Sequence, residues 1–305
     1  MTKDGAKMHG TKIRYSTGDR IFDAVVLFVM LIVLLLCLYP LYFILIASVS
    51  DPYLVSAGKV FLIPKGISFN AYERIFAYKK IWSGYLNTII YTGVGTTINV
   101  IITIAAGYAL SRRNLTGRRF LQMLFVFTMF FNGGMIPTYM VVKDLGLLNT
   151  LWAMVLPNAL SVWNLMIARS FFESSIPEDL RGAAFIDGAG NLRFFFNIVL
   201  PVSQSIIAVM VLFYAIGHWN AFFNAYIYLS SDTKYPLQVV LRDILVSNQP
   251  DPSMIDDLST LIEKQKTAEL LKYGLIVVAS VPILALYPFV QRYFVTGVMI
   301  GSIKG

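Results

Sequence analysis

Six long runs without a charged residue dominate this chain of 305 residues. A helix needs about 20 consecutive apolar residues to cross the hydrocarbon core of a bilayer, and each run meets or approaches that length. Only 14% of the residues are charged, well below the roughly 25% typical of soluble domains. The pattern predicts an all-α polytopic membrane protein with six transmembrane helices. The runs cover residues 24–47, 84–110, 120–142, 145–168, 194–231 and 273–291.

The first run, 24–47, is expected to remain in the membrane as an anchor. Its apolar core is longer than that of a signal peptide, and no small-residue cleavage site follows it. The fifth run is too long for one span, so its first part is expected to belong to the preceding loop. A soluble α-protein with buried helices is the alternative, and the six runs with charged flanks disfavour it.

The positions of lysine and arginine predict the orientation, because cytoplasmic loops carry an excess of both. An even number of spans places the two ends of the chain on the same side of the membrane. Four arginines between the second and third runs, Arg112, Arg113, Arg118 and Arg119, assign that side to the cytoplasm. Both termini are therefore expected to be cytoplasmic. The net charge of +8 is attributed to this topology rather than to nucleic-acid binding, and membrane lipid is an expected partner.

The chain is expected to form one membrane domain. A cytoplasmic segment covers 1–20, a six-span domain covers 21–297, and a cytoplasmic tail covers 298–305. The outer segment 232–271 is unusually long for a connection, which suits either a docking surface or a spacer. Residues 70–82 have aromatic residues near helical spacing, which suits either a helix in the membrane interface or a helix that covers the outer face of the protein.

The loop 174–200 is polar and helix-forming, yet it lies between two apolar runs. Ser175 and Glu178 have the spacing of a capping box, and Gly188 can end the helix in left-handed geometry. The short side chains of Ala183 and Ala184 permit another protein to approach closely. A second helix is expected to begin near Asn191 and to continue into the fifth span. A capped, charged helix at this place offers a cytoplasmic surface to a partner.

Several motifs resemble those of ABC-transporter permeases, from about residue 20 to the end of the chain. The loop resembles their coupling loop, which docks into an ATPase, in Ala183-Ala184, Asp187-Gly188-Ala189, Phe195 and Leu200-Pro201. Other matches to the maltose-type sugar permeases are Leu86-Asn87-Thr88, Gly107-Tyr108-Ala109-Leu110-Ser111-Arg112, Trp219-Asn220 and the terminal Lys304-Gly305. The stretch 130–139 resembles a subgroup that serves complex plant or algal oligosaccharides.

This resemblance implies the type I ABC importer permease fold in a bacterial cytoplasmic membrane. The chain would pair with a second permease subunit as a heterodimer, and an extracellular solute-binding protein would deliver the oligosaccharide. Two separate ATPase subunits would bind ATP and Mg, while this chain would bind no cofactor. The residues implied to couple to the ATPase are Glu178, Asp179, Ala183, Ala184, Asp187, Gly188 and Ala189, together with Ser302 and Lys304 in the tail.

Two positions depart from the family pattern. The family's glutamate before Ala-Ala is Gly182 here, so any salt bridge from it to the ATPase is absent or has moved to Glu178, Asp179 or Asp187. The acid after Trp-Asn is Ala221, which puts a polar role at that position in doubt.

Polar residues inside the spans need partners, because a buried polar group without one is costly. They can line a sugar path, since amides and aromatic rings suit sugar hydroxyls and sugar faces, or they can pack helices together. The candidates for a path are Asn132, Tyr139, Trp163, Asn164, Tyr214, Trp219 and Asn220. The spans show no catalytic constellation and no metal-ligand cluster, so the chain is expected to be non-catalytic. Peptides, amino acids or polyols remain alternative cargoes.

Overall fold

The computed structural model describes residues 16–247 and 268–288, together with Gln291, and its regular elements there are helical. The helices are α1 (Thr17–Ser48), α2 (Pro52–Ser56), α3 (Asn70–Ala77), α4 (Lys79–Ser111), α5 (Arg118–Phe130), α6 (Met135–Asp144), α7 (Leu151–Val155), α8 (Val162–Ser175), α9 (Glu178–Ile186), α10 (Asn191–Phe194), α11 (Leu200–Val202), α12 (Gln204–Trp219), α13 (Phe222–Tyr228), α14 (Leu237–Ser247) and α15 (Ala268–Pro288).

The chain divides into two units, one ending at Ser68 and the other beginning at Phe69. The first unit is mainly the long apolar helix α1. The Ser16 side chain accepts a hydrogen bond from the N–H of Gly18 (3.2 Å), and the Asp19 carboxylate accepts one from the N–H of Ser16 (2.9 Å). This reciprocal capping fixes the start of α1. Asp51 caps α2 in a similar way.

Three described helices, α1, α4 and α15, are each long and apolar enough to cross a membrane. Three further pairs reach that length only when the two bent halves are joined, which brings the spans to as many as six. The bends are 110° between α5 and α6, 54° between α7 and α8, and 78° at the end of α11, where α12 begins. Three of the six predicted runs are therefore broken helices, for which irregular backbone at membrane depth must be satisfied within the protein.

The sharpest of these bends lies at Asn132-Gly133-Gly134. Gly134 has a φ of +82°, which a glycine adopts without strain. The side-chain oxygen of Asn132 accepts a hydrogen bond from the Gly134 N–H (2.9 Å). Asn132, one of the predicted path residues, thus stabilises the turn between α5 and α6.

Helix α4 is the centre of the second unit and packs against α8, α12 and α14. Its buried face carries small and polar residues, which let helices approach closely in a membrane. A Cβ added to Gly95 would lie 2.4 Å from Nε2 of His218 on α12, and one added to Gly107 would lie 2.9 Å from Cβ of Ala168 on α8. The glycine of the Gly-Tyr-Ala motif is therefore required by the contact between α4 and α8.

Helix α3 packs onto α15 within the second unit. Ile75 and Ala71 are buried, and they lie against Gly274, where an added Cβ would come within 2.9 Å of Cδ1 of Ile75. Of the two interpretations of residues 70–82, a helix that covers the protein's own surface agrees better with these contacts. The same core includes Leu237 of α14 and Trp219 of α12.

Candidate functional site

Helix α9 and the turn that follows it form the centre of the loop between α8 and α12. Gly188 has a φ of +76°. Its N–H donates to the Phe185 carbonyl (3.1 Å), while the N–H of Ala189 donates to the Ala184 carbonyl (2.9 Å). These two bonds make a Schellman motif, the common way to end a helix with a left-handed glycine. The stop that the sequence predicted at Gly188 is present.

The capping box predicted at Ser175 and Glu178 is wrong. Ser175 is the last residue of α8, and the N-cap of α9 is Pro177, which makes no side-chain hydrogen bond. Ile176 between them is extended. Because Ser175 still has helical geometry, its hydroxyl does not cap α9. Glu178 instead forms an ion pair with Arg181 (2.7 Å).

The two alanines of α9 have different surroundings. Ala184 is only 6% exposed and belongs to a core with Phe172 and Phe194, so the expectation that both alanines face a partner is wrong for Ala184. Ala183 is exposed, as are Glu178, Asp179, Asp187 and Gly188. The exposed face of the loop also presents apolar side chains, of which Ile186 is the most exposed, at 88%. The other exposed large apolar residues of this loop are Leu180, Phe185, Leu192 and Phe196.

Arg112 joins the end of α4 to the start of α9, a role that the sequence analysis missed. The residue is 8% exposed. Its guanidinium donates to the Ile176 carbonyl and lies near the Glu178 carboxylate, each at 3.4 Å, and it lies 5.0 Å from the centre of the Tyr108 ring. The signal was in the sequence, since Tyr108 and Arg112 are the second and last residues of the Gly-Tyr-Ala-Leu-Ser-Arg motif.

A second ionic cluster ties α5 to α8 beside this point. Glu173 accepts a hydrogen bond from Arg118 and another from Arg169, each at 2.7 Å. The arginine cluster that predicted the orientation therefore also has structural contacts. Together with Arg112, it connects the ends of three membrane helices to the segment just before α9.

The segment after α9 does not run straight into the fifth span as the sequence predicted. Helix α10 continues through a π-helical turn at Phe195–Val199 into α11, and the 78° bend then separates it from α12. Phe194 and Val199 are buried in the same core as Ala184. This core holds the loop against the membrane helices.

A polar cavity of about 270 Å³ lies between the α7–α8 break and α12. The Tyr214 hydroxyl is 2.6 Å from Oγ1 of Thr103 and accepts a hydrogen bond from the Ser161 N–H (3.1 Å). The cavity can therefore contact a neutral polar solute through hydroxyl and amide groups. Its polar lining consists of Asn158, Ser161, Asn164, Tyr214, His218 and Asn224.

His218 is held in place by a hydrogen bond across the α4–α12 contact. Its Nε2 is 2.7 Å from Oδ1 of Asn99, and Nδ2 of Asn99 donates to the Asn158 carbonyl (2.6 Å). These contacts make His218 a hydrogen-bonded residue between α4 and α12.

Comparison with known proteins shows which family the chain belongs to. None of the protein-family models compared with the chain matches it. The chain is 40% identical over 288 residues to the polygalacturonan/rhamnogalacturonan transport system permease protein YtcP of Bacillus subtilis (strain 168), covering 94% of this chain and 99% of YtcP. It is 37% identical to Protein LplC of the same organism over 98% of each chain.

A solved structure is also similar to this chain. A chain from a bacterial ABC transporter involved in the import of the acidic polysaccharide alginate superimposes with a TM-score of 0.81 at 35% identity, covering 92% of this chain and 99% of that one. The chain belongs to the permease subunits of ABC importers. Permeases of this family are membrane proteins that work within ABC transport systems, which implies an ATPase and a solute-binding protein as partners.

The permease brings only some of its predicted path residues together. Asn164 and Tyr214 line the polar cavity. Trp219 is buried instead in the core beside α15, where its indole N–H donates to the Ala279 carbonyl (3.0 Å). Asn220 lines a different groove, Trp163 is exposed, and Tyr139 stacks on Tyr228.

Two predicted features of the permease lie outside the described residues. These are the tail positions Ser302 and Lys304, and residues 248–267 of the long segment 232–271. Among residues 16–247 and 268–288, the structure contains no group of three or more histidine, cysteine or acidic residues that could hold a metal ion.

Proposed function

We propose that this permease imports oligosaccharides, including fragments of plant or algal polysaccharides, as one half of a heterodimeric translocation path. The observation that carries the proposal is the end-to-end match to YtcP, which is named for polygalacturonan and rhamnogalacturonan transport. The fold of an alginate importer supports it. Two partner ATPase subunits supply hydrolysis with ATP and Mg, and the permease itself is not catalytic.

The loop 174–200 is the proposed contact with the ATPase. Its exposed face combines Ala183, Asp187 and Gly188 with apolar side chains such as Ile186, and exposed apolar patches mark protein interaction sites. Gly182 removes the family's acid from this face, and Glu178 already has Arg181 as an ion-pair partner. Apolar contact therefore carries more of this docking than a salt bridge does.

Movement of α9 reaches the membrane helices along two routes. One is the buried packing of Ala184 against Phe172 of α8 and Phe194 of α10. The other is Arg112, which ties the start of α9 to the end of α4. Closure of the ATPase dimer would push α9, and these contacts would shift α4, α8 and α12 around the polar cavity.

Uptake into vesicles with a panel of cargoes tests the function. The assembled transporter, with its ATPase and binding protein, should import oligosaccharides in an ATP-dependent manner. Peptides, amino acids and polyols in large excess should not compete. Competition by one of these cargoes instead of the sugar would contradict the proposal and favour an importer of a non-sugar solute.

The cytoplasmic placement of both termini is part of the proposal, and Thr116 tests it. This residue is exposed in the loop between α4 and α5. In a Cys37→Ser background, Thr116→Cys should react with a membrane-permeant maleimide and should resist an impermeant one in intact cells. Disruption of the cells provides the control. Labelling of intact cells by the impermeant reagent would show that the loop is extracellular and would contradict the proposed orientation.

A further inference from the structure

A groove of about 320 Å³ lies between α14, α15 and the junction of α12 with α13. Its lining is mainly apolar and includes Leu275 and Ile276, and its polar members are Asn220, Gln238 and Arg242. The predicted topology places α14 in the outer segment. The lining residues include no aspartate or glutamate among the described residues.

Arg242 is positioned over two aromatic rings. Its Cζ lies 5.0 Å from the centre of the Tyr226 ring and 5.7 Å from that of Phe222. Its side chain is 43% exposed, and its ion-pair contact with Asp243 is long, at 3.9 Å. Within residues 16–247 and 268–288 the guanidinium makes no hydrogen bond. The described part of the chain therefore leaves its donors unused, and a ligand can bind them.

We propose that this groove is a binding site for the carboxylate of an acidic sugar residue. An arginine offers a planar pair of donors that matches a carboxylate. The Asn220 side-chain nitrogen donates to the Ile216 carbonyl (3.0 Å), which leaves its oxygen and the Gln238 amide for sugar hydroxyls, and the apolar residues suit a sugar face. This inference rests on the proposed function and narrows its cargo to uronic-acid oligosaccharides. An anionic lipid headgroup presents similar chemistry, and the lipid composition of the vesicles in the test distinguishes the two ligands.

The test compares oligogalacturonides with their methyl-esterified forms, which differ in the carboxylate charge. The complete transporter is reconstituted in phosphatidylcholine vesicles, and each probe is delivered by saturating loaded binding protein, so that selectivity of the binding protein cancels. Wild type should import the acid at least about tenfold faster than the ester, as expected for the loss of one charge-assisted contact. In Arg242→Gln this preference should fall to about twofold or less.

Three further variants make the outcome specific. Arg242→Lys keeps the charge but loses the planar pair of donors, so it should retain an intermediate preference, and it replaces Arg242→Gln if that variant fails to assemble. Asp243→Asn removes the nearby negative charge and should keep or increase the preference. Lys143→Gln removes an exposed charge of α6, outside the groove, and should change nothing.

Several results would overturn the site. Equal import of acid and ester by wild type contradicts the carboxylate site but leaves sugar import standing, whereas import of neither contradicts both. A full preference in Arg242→Gln also rejects the site. If Arg242→Gln slows both probes equally, and only in vesicles containing phosphatidylglycerol, the groove binds a lipid headgroup instead.

Discussion

Replacement of Arg112 by glutamine is expected to reduce oligosaccharide uptake at least about tenfold while the ATPase subunits continue to hydrolyse ATP. Arg112 is 8% exposed, and its guanidinium binds the Ile176 carbonyl just before α9. Loss of that bond leaves a buried carbonyl without its partner, which costs about 1–3 kcal/mol. The lost contact with the Tyr108 ring adds about 0.5–2 kcal/mol. Each 1.4 kcal/mol corresponds to about tenfold in the population of the ordered loop.

The half-exposed pair with Glu178 contributes less to this effect. The Glu178 side chain is 52% exposed, and ion pairs exposed to water are worth only about 0–1 kcal/mol. Glu178→Gln should therefore reduce uptake far less than Arg112→Gln. A reverse order of the two effects would mean that charge, rather than the contact with the backbone, holds α9.

The measurement is sugar uptake per ATP hydrolysed in proteoliposomes of the full complex. Arg113→Gln is the matched control, since Arg113 is the exposed neighbour of Arg112 and loses the same charge. Wild-type coupling in Arg112→Gln, with normal assembly, would show that α4 takes no part in transmitting the motion of α9.

The sequence was informative about α9 because its signals are local. Polar helix-forming residues between apolar runs predict an exposed helix, and a glycine at the required place predicts its end. Gly188 has the left-handed φ that this ending needs. The start of α9 was predicted incorrectly because Ser175, whose hydroxyl could cap a helix, is the last residue of α8. Spacing alone does not reveal which of two neighbouring helices includes a residue.

Contacts between distant helices were not predictable in this way. Arg112 and Ile176 are far apart in sequence, and a one-dimensional pattern carries no information on which carbonyl an arginine reaches. The apparent equivalence of Ala183 and Ala184 fails for the same reason, because only the packing of Phe172 and Phe194 decides which alanine is buried.

The polar residues of the spans show a related limit. The sequence allows either helix packing or path lining for every one of these residues, yet adjacent residues differ in the structure. Trp219 faces the core and donates to the Ala279 carbonyl, whereas Asn220 follows the last residue of α12 and lines the groove between α14 and α15. The helix turns by about 100° per residue, so neighbours face different surroundings. Helix bends such as the one near Asn132 then redirect each half separately.

Replacement of Gly188 by valine is expected to weaken the complex with the ATPase or to uncouple hydrolysis from transport. Gly188 has a φ of +76°, and an added Cβ would meet no atom within 4 Å. The cost is therefore conformational rather than steric crowding. It amounts to about 1–2 kcal/mol for a residue with a Cβ, and a β-branched side chain is worse. The chain can escape this cost by leaving the Schellman motif, which redirects α10 relative to α9.

Co-purification of the ATPase and sugar uptake in vesicles measure this effect together. Gly190→Val is the matched control, because Gly190 lies in the same loop, has no atom within 4 Å of an added Cβ, and has an extended backbone with φ −76° and ψ 171° that valine adopts readily. The control should keep both properties near wild type, while Gly188→Val should lose one of them. The substitution lies in the loop and leaves the lining of the polar cavity unchanged. Such a loss would therefore indicate that the loop couples the ATPase to transport. Wild-type values of both in Gly188→Val would mean that residues 174–200 only connect two spans.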